Sequence, residues 1–145
     1  MSNCPICKKN KNDDSINYIY KNHQIAITHA PINANILGYL YIEPVNHYEN
    51  WADIPDETFL EITRLLKKID VFLRKELNAE RVYSVTISEM VRHIHFHLIP
   101  RYSYSSKKGV DLIEKATQQL NENENKTITE SDVLHLINKL QGYLN

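Results

Sequence analysis

The sequence has no surplus of charge of either sign: Lys and Arg total 17 against 18 for Asp and Glu. Nucleic-acid backbones and anionic membrane surfaces are held by excess positive charge, so neither is an expected partner and a small molecule is. No stretch approaches the roughly 18 to 20 apolar residues that cross a bilayer, and Met1-Ser2-Asn3-Cys4-Pro5 is not the start of a secretory leader. These absences predict a cytoplasmic protein. Cysteine is scarce as well: Cys4 and Cys7 are too few and too close together to staple a secreted fold. No internal repeat is present. What remains is 145 residues, 42% of them hydrophobic, which is enough for one packed core.

In a reducing compartment the Cys4-Pro5-Ile6-Cys7 spacing suits a metal better than a redox pair. A thioredoxin-style CxxC follows a strand and opens a helix, whereas only three residues come first here. Further along, β-rich runs at Tyr18–Tyr20 and Ile25–Thr28, separated by the turn-like Lys21-Asn22-His23-Gln24, predict a hairpin, and Ile36–Pro44 predicts a third strand leading to His47. Phe59, Ile62, Leu66, Ile69 and Leu73 recur at helical spacing, so a long helix is expected there. Asp53 is placed to cap it, Asp56 and Glu57 suit its positive end, and Arg74 and Lys75 suit its other end before Asn78. Val82–Ile87 reads as a strand turning at Ser88-Glu89 into a second hairpin. After Arg101 the composition turns polar: a helix is expected over Val110–Leu120, a low-complexity stretch follows at Asn121–Lys126, and Thr129 opens a final helix with Val133, Leu136, Ile137 and Leu140 on one side.

The chemistry-bearing residues cluster in His93-Ile94-His95-Phe96-His97-Leu98. In a strand, same-face neighbours lie about 6.6 Å apart, so the three histidines share one face and Ile94, Phe96 and Leu98 the other. An isolated histidine is ordinarily structural, but three titratable rings in strict alternation stabilise no fold particularly well. Two kinds of chemistry use such a row. Neutral imidazoles can converge on a metal ion with an open position, or one imidazole can attack phosphorus while its neighbours donate hydrogen bonds to the charged oxygens. Spacing alone does not choose between them.

The longer string His93-Ile94-His95-Phe96-His97-Leu98-Ile99-Pro100-Arg101 resembles the signature of the histidine-triad (HIT) family, in which alternating histidines are followed by apolar residues and often by Pro-Arg. Gly38–His47 resembles the family's strand ending in a proline and a histidine, Trp51–Glu57 resembles the approach to its helix, and Cys4-Pro5-Ile6-Cys7 resembles the CxxC of its bacterial zinc-containing members. The resemblance covers residues 4–101 and leaves the tail unexplained. It implies that His95 is the nucleophile, attacking the α-phosphate of a nucleotide and becoming transiently nucleotidylated, with His97 binding an α-phosphate oxygen. It further implies a closed zinc site of Cys4, Cys7, His47 and His93, structural in role because four protein ligands leave no open position. No organic cofactor is implied, and the family's habit is a homodimer.

Two departures stand out. Where many members carry a carboxylate for the ribose hydroxyls, this chain reads Thr28-His29-Ala30-Pro31-Ile32-Asn33, which leaves Asn33 or Asn35 as the substitute. Before the triad, where many members have a glycine turn with a phosphate-binding hydroxyl, the chain offers Ser88-Glu89-Met90-Val91-Arg92, and Ser88 or Arg92 could serve. Ile19 and Ile27, on the opening strands, are candidates to line an apolar base pocket. His23, His29 and His135 read as structural, and the tyrosines as ordinary strand packing.

The expected fold is α+β: an antiparallel sheet of about five strands, one long helix across it, and C-terminal helical additions. Residues 1–104 form the nucleotide-binding domain, and residues 105–145 an extension packed on it. The expected function is hydrolysis at the α-phosphate of a dinucleoside polyphosphate or nucleoside phosphoramidate. The competing readings are a nucleotide-binding module without turnover and a zinc-dependent hydrolase that uses the triad as ligands.

Overall fold

The computed structural model describes residues 3–11, 16–120 and 127–145, so the low-complexity stretch 121–126 lies outside the described residues. Among these, five strands form one antiparallel sheet: β1 (Tyr20–Lys21), β2 (Ile25–His29), β3 (Leu40–Pro44), β4 (Arg81–Val85) and β5 (Phe96–Arg101), in the order β1-β2-β3-β5-β4. Four helices join it: α1 (Pro5–Lys11), α2 (Asp56–Leu77), α3 (Gly109–Thr117) and α4 (Glu130–Leu144). The architecture is the α+β arrangement expected.

The alternation of side chains divides the sheet into two faces. Ile27 lies opposite Ile42, and Ile42 opposite Phe96, so these residues and Leu40 and Leu98 point to one side. There they meet the apolar stripe of α2, with Ile62, Leu65, Ile69, Phe72 and Leu73 buried. Each such aliphatic contributes roughly 1.5–3 kcal/mol when fully buried. Leu136, Ile137, Leu140 and Leu144 of α4 complete this core, the side of the helix expected from the sequence. Thr129 opens α4 by accepting from the backbone N–H of Asp132 at 3.1 Å. On the other face, Tyr39 and Ile99 form a smaller cluster with Leu112 and Ala116 of α3.

The boundary of α2 differs from expectation. Asp53 does not cap it; a separate 3-10 turn, Trp51–Asp53, intervenes, and Asp53 accepts from the Asn50 backbone at 3.2 Å. Pro55 is the cause, since a residue before proline is driven to extended backbone, and Ile54 adopts φ −75°, ψ 126°. Asn78 ends the helix in the left-handed region at φ 58°, close to where the basic last turn placed it.

One glycine sets the geometry of the strand beneath the histidines. Gly38 has φ +85°, and a Cβ there would lie 2.9 Å from Leu73 Cδ2 and 3.0 Å from the Tyr102 hydroxyl. Both the left-handed backbone and the contact penalise a side chain, so Gly38→Ala is expected to destabilise the fold by about 2 kcal/mol and lower the melting temperature by roughly 5 °C. Thermal unfolding followed by circular dichroism reads this directly.

Candidate active site and metal-donor cluster

Of the three alternating histidines only His97 lies within a strand. β5 begins at Phe96, and His93 and His95 occupy the segment before it, which corrects the expectation of one strand carrying all three. β4 and β5 form the second hairpin expected, pairing antiparallel from Arg81 with Arg101 to Val85 with His97. β4 ends at Val85, and beyond the ladder the Ile94 N–H donates to the Tyr48 carbonyl at 2.7 Å, which ties this part of the histidine segment to the loop after β3. The alternation therefore sorts the rings into two groups. His95 and His97 sit together with centroids 5.0 Å apart, while His93 pairs with His47 at 5.1 Å.

His95 is held on three sides. Its Nδ1 lies 2.8 Å from the His93 carbonyl oxygen, its backbone N–H donates to Ser88 Oγ at 3.1 Å, and its own carbonyl accepts from Thr86 Oγ1 at 2.7 Å. A carbonyl oxygen only accepts, so in the neutral ring the proton is on Nδ1 and the lone pair on Nε2. Ser88 reaches this position through a left-handed backbone, φ 52°. His97 Nδ1 is 2.7 Å from the Tyr39 hydroxyl, and the Tyr41 ring packs 5.1 Å from His97 and 6.4 Å from His95. Burial, and secondarily the charge on His95, push the His97 imidazole down to about 4, so it is neutral at ordinary pH.

The other group is a compact donor set. Cys4 Sγ lies 3.4 Å from His93 Nδ1, and Cys7 Sγ lies 3.5 Å from both His93 Nδ1 and His47 Nδ1. All four ligand atoms fall within 4.8 Å of one another, the kind of grouping that can hold a metal ion. The Cys7 backbone N–H points at Cys4 Sγ at 3.4 Å, while His93 donates Nε2–H to the Pro44 carbonyl at 2.7 Å and so keeps its Nδ1 lone pair toward the sulfurs. Burial lowers the His93 ring's proton affinity, as a neutral ligand requires, and burial together with Cys4 raises the Cys7 thiol above its ordinary value. His95 and His97 are not members of this set.

The remaining candidates separate. Ser88 lies beside His95, its Oγ 3.4 Å from Nδ1. Asn33 is exposed on the 3-10 turn Ile32–Ala34, whereas Asn35 is buried and its Oδ1 accepts from the Ile128 backbone at 2.8 Å. Ile27 is fully buried against α2, on the opposite face from His97, and Ile19 belongs to the same core; register, which composition does not show, decides this. Arg92 pairs at 3.8 Å with Glu89 on the exposed loop. His29 is fixed as a neutral ring, donating from Nδ1 to the Ala30 carbonyl at 2.8 Å and accepting from the Gly38 N–H at 3.0 Å, while His23 and His135 are exposed.

Residues that sequence reasoning passed over are Lys9, Tyr39, Tyr41 and Glu43. The last three alternate along β3 and share the histidine face, since Tyr41 is the register partner of His97. A carboxylate in an otherwise apolar strand was the available signal. Glu43 is only 1% exposed and forms an ion pair with Lys9 of α1.

The sequence model of the HIT domain matches residues 10–104. An uncharacterized HIT-like protein of Methanocaldococcus jannaschii is 26% identical over 122 residues, which cover 77% of this chain and 94% of that protein. Among solved structures, a Hit-like protein of Bartonella henselae superposes with a TM-score of 0.71 at 18% identity, covering 99% of this chain and 97% of its own. A zinc-bound histidine triad family protein of Mycobacterium smegmatis gives 0.59 at 19% identity, covering 95% and 98%. The fold is that of these proteins, and the chain belongs to the HIT domain family. No helix among the described residues is long and apolar enough to cross a membrane.

The depressed His97 value carries a stability consequence. Its folded value, about 4, lies below the ordinary 6.5, so the folded chain binds less proton there than the unfolded one. Stability from this ring is complete above about 6.5 and is lost as pH falls toward 4, by up to about 3 kcal/mol. Urea unfolding between pH 7.5 and 4.5 should therefore show a steeper loss in the native protein than in His97→Gln, with His29 and His93 contributing equally to both.

Proposed function

We propose that the protein is a nucleotide hydrolase acting at the α-phosphate of dinucleoside polyphosphates or nucleoside phosphoramidates, with His95 as nucleophile. The observation that carries this reading is the hydrogen bond from His95 Nδ1 to the His93 carbonyl, 2.8 Å, which leaves Nε2 unprotonated in the neutral ring. In the first step the Nε2 lone pair forms a bond to the α-phosphorus as the bond to the leaving group breaks. An oxygen leaving group departs with the bonding pair, an amine with that pair and a proton taken up from solvent water. The ring becomes an N-phosphorylated imidazolium whose Nδ1–H stays on the His93 carbonyl. Water then attacks phosphorus, releases its proton to solvent, and returns the N–P bonding pair to Nε2, which frees the nucleoside monophosphate.

His97 takes the phosphate-binding role in this scheme. In the tautomer proposed here the Tyr39 hydroxyl, 2.7 Å away, donates to Nδ1 and the ring proton is on Nε2, a neutral donor for a non-bridging oxygen. Ser88 orients His95 through its backbone N–H. Asn33 is the proposed ribose contact, since Asn35 is engaged with Ile128.

Cys4, Cys7, His47 and His93 are proposed to hold zinc. A tetrahedral ion with Zn–S of about 2.3 Å and Zn–N of about 2.0–2.1 Å sets its sulfur and nitrogen ligands about 3.5 Å apart, and the three sulfur–nitrogen separations here are 3.4–3.5 Å. With four protein ligands the ion supplies structural cross-linking of α1 to the sheet and no reactive position. The zinc-bound Mycobacterium smegmatis relative supports this reading. The alternative of a zinc hydrolase ligated by the triad is disfavoured, because His95 and His97 direct Nδ1 to the His93 carbonyl and Tyr39 and stand outside the donor set. The packing of α3 and α4 supports reading residues 105–145 as an extension of the same domain, and a cytoplasmic homodimer is the proposed state.

One observation favours a second reading, a binding module without turnover: residues 28–33 contain no carboxylate to grip a ribose. Incubation with diadenosine tetraphosphate and with an adenosine phosphoramidate decides between the two. Monophosphate release that survives a chelator and falls by about 10³-fold or more in His95→Ala is expected. Binding of AMP without release from the native chain would contradict the hydrolase reading. For the metal, one zinc per chain is expected by elemental analysis of the purified protein, with loss of the ion in Cys4→Ser and retention in His95→Asn.

A further inference from the structure

Glu43 is the one carboxylate among the buried side chains of the described residues, 1% exposed, and the proposed chemistry does not yet use it. It lies on β3 on the same face as Tyr39 and Tyr41. Tyr41 is paired with His97 and Ile42 with Phe96 across the β3–β5 ladder, and Glu43 and His95 are the residues that follow that last pair on their two chains. Burial raises the Glu43 carboxyl above its ordinary value, and three opposing influences lower it: the Lys9 charge, the Lys9 hydrogen bond and the charge on His95. The Tyr41 ring, on the same face of β3 as Glu43, packs 6.4 Å from the His95 ring.

Lys9 reaches Glu43 from α1, two residues beyond Cys7, and its side chain is 25% exposed. The end of that helix is held in place independently. The Tyr18 hydroxyl donates to Asn10 Oδ1 at 2.8 Å, and the Lys21 ammonium donates to the Asn10 carbonyl at 3.0 Å. The same short helix that carries Cys7 and directly follows Cys4 therefore delivers a counter-charge to a carboxylate on the histidine face of the sheet.

We propose that Glu43, with its charge balanced by Lys9, is a positioning residue for His95 that stabilises the imidazolium formed when Nε2 bonds to phosphorus. This rests on the reading of His95 as nucleophile. Before attack the ring is neutral and the carboxylate's partner is Lys9 alone. When the N–P bond forms and the leaving group takes the bonding pair, the ring carries a positive charge with Nδ1–H still on the His93 carbonyl, and Glu43 lies just past the last β3–β5 pair, next to which His95 leaves the ladder. Because water is excluded from around Glu43, the attraction is stronger than in solvent, and it exists only after bond formation has begun. It lowers the barrier to nucleotidylation without strengthening substrate binding.

The test uses the full zinc-loaded chain with diadenosine tetraphosphate, following single-turnover formation of the nucleotidyl-histidine by rapid quench and AMP affinity by titration. Glu43→Gln, which keeps the shape and removes the charge, is expected to slow nucleotidylation about 10- to 100-fold while AMP affinity stays within about twofold. Glu43→Asp is expected to recover part of the rate. The double variant Lys9→Met with Glu43→Leu separates chemistry from architecture. Replacing both charges removes the unpaired-carboxylate penalty, so melting temperature and zinc content are expected to match the native protein while the rate stays low. Native rates in Glu43→Gln or in the double variant would overturn the proposal and leave the ion pair as a clasp for α1. If turnover depends on His95 but not on Glu43, the positioning role alone fails; if the native chain shows no His95-dependent turnover, both readings fall.

Discussion

The structure depends on His93, which is fully buried and makes contacts in three directions. Its Nε2–H donates to the Pro44 carbonyl at the end of β3, its Nδ1 faces the two cysteine sulfurs of the N-terminal helix, and its backbone carbonyl accepts from the ring of His95. A single residue thereby joins a strand end, a metal-donor cluster and the proposed nucleophile. A metal at His93 is compatible with this role, because the contribution to His95 comes through the main chain and leaves the side chain free for the sulfurs.

The second constraint is the register of β3 against β5. It sets Tyr41 beside His97 and turns Tyr39 and Glu43 to the same face, so β3 floors the site while β5 and the segment before it supply the rings. The opposite face is given wholly to packing: Ile27, Ile42, Phe96 and Leu98 meet α2, and α4 extends that core. The histidine face is closed by α3 over Tyr39 and Ile99 and by α1 over Glu43, and His95 and His97 stand between them. A two-faced sheet of this kind lets one side be rigid and apolar while the other carries buried polar groups, each with a partner.

Much of this was legible in the residues. The stripe in α2 and the Thr129 cap reflect local periodicity and capping, and the opening hairpin reflects β-rich runs bracketing a turn. The grouping of Cys4 and Cys7 with His47 and His93 was implied by family resemblance, and the structure brings their ligand atoms together. What stayed hidden depends on long-range pairing. Ile27 reads as a pocket residue until register turns it toward α2, and Glu43 reads as an irregularity until Lys9 is seen paired with it. The histidine run reads as one strand until Ile94 bonds to Tyr48 instead of joining the ladder. Asp53 failed as a cap because the proline two residues later broke the backbone between them.

The central claim is that a main-chain carbonyl fixes the tautomer of His95 and so exposes Nε2 as the nucleophile. Long-range ¹H–¹⁵N correlation of the imidazole rings, with His95→Gln used to assign the signals, measures this directly at neutral pH. The account predicts that His95 carries its proton on Nδ1, with Nε2 at the shift of an unprotonated ring nitrogen. A His95 protonated on Nε2, or one exchanging evenly between tautomers, would contradict it.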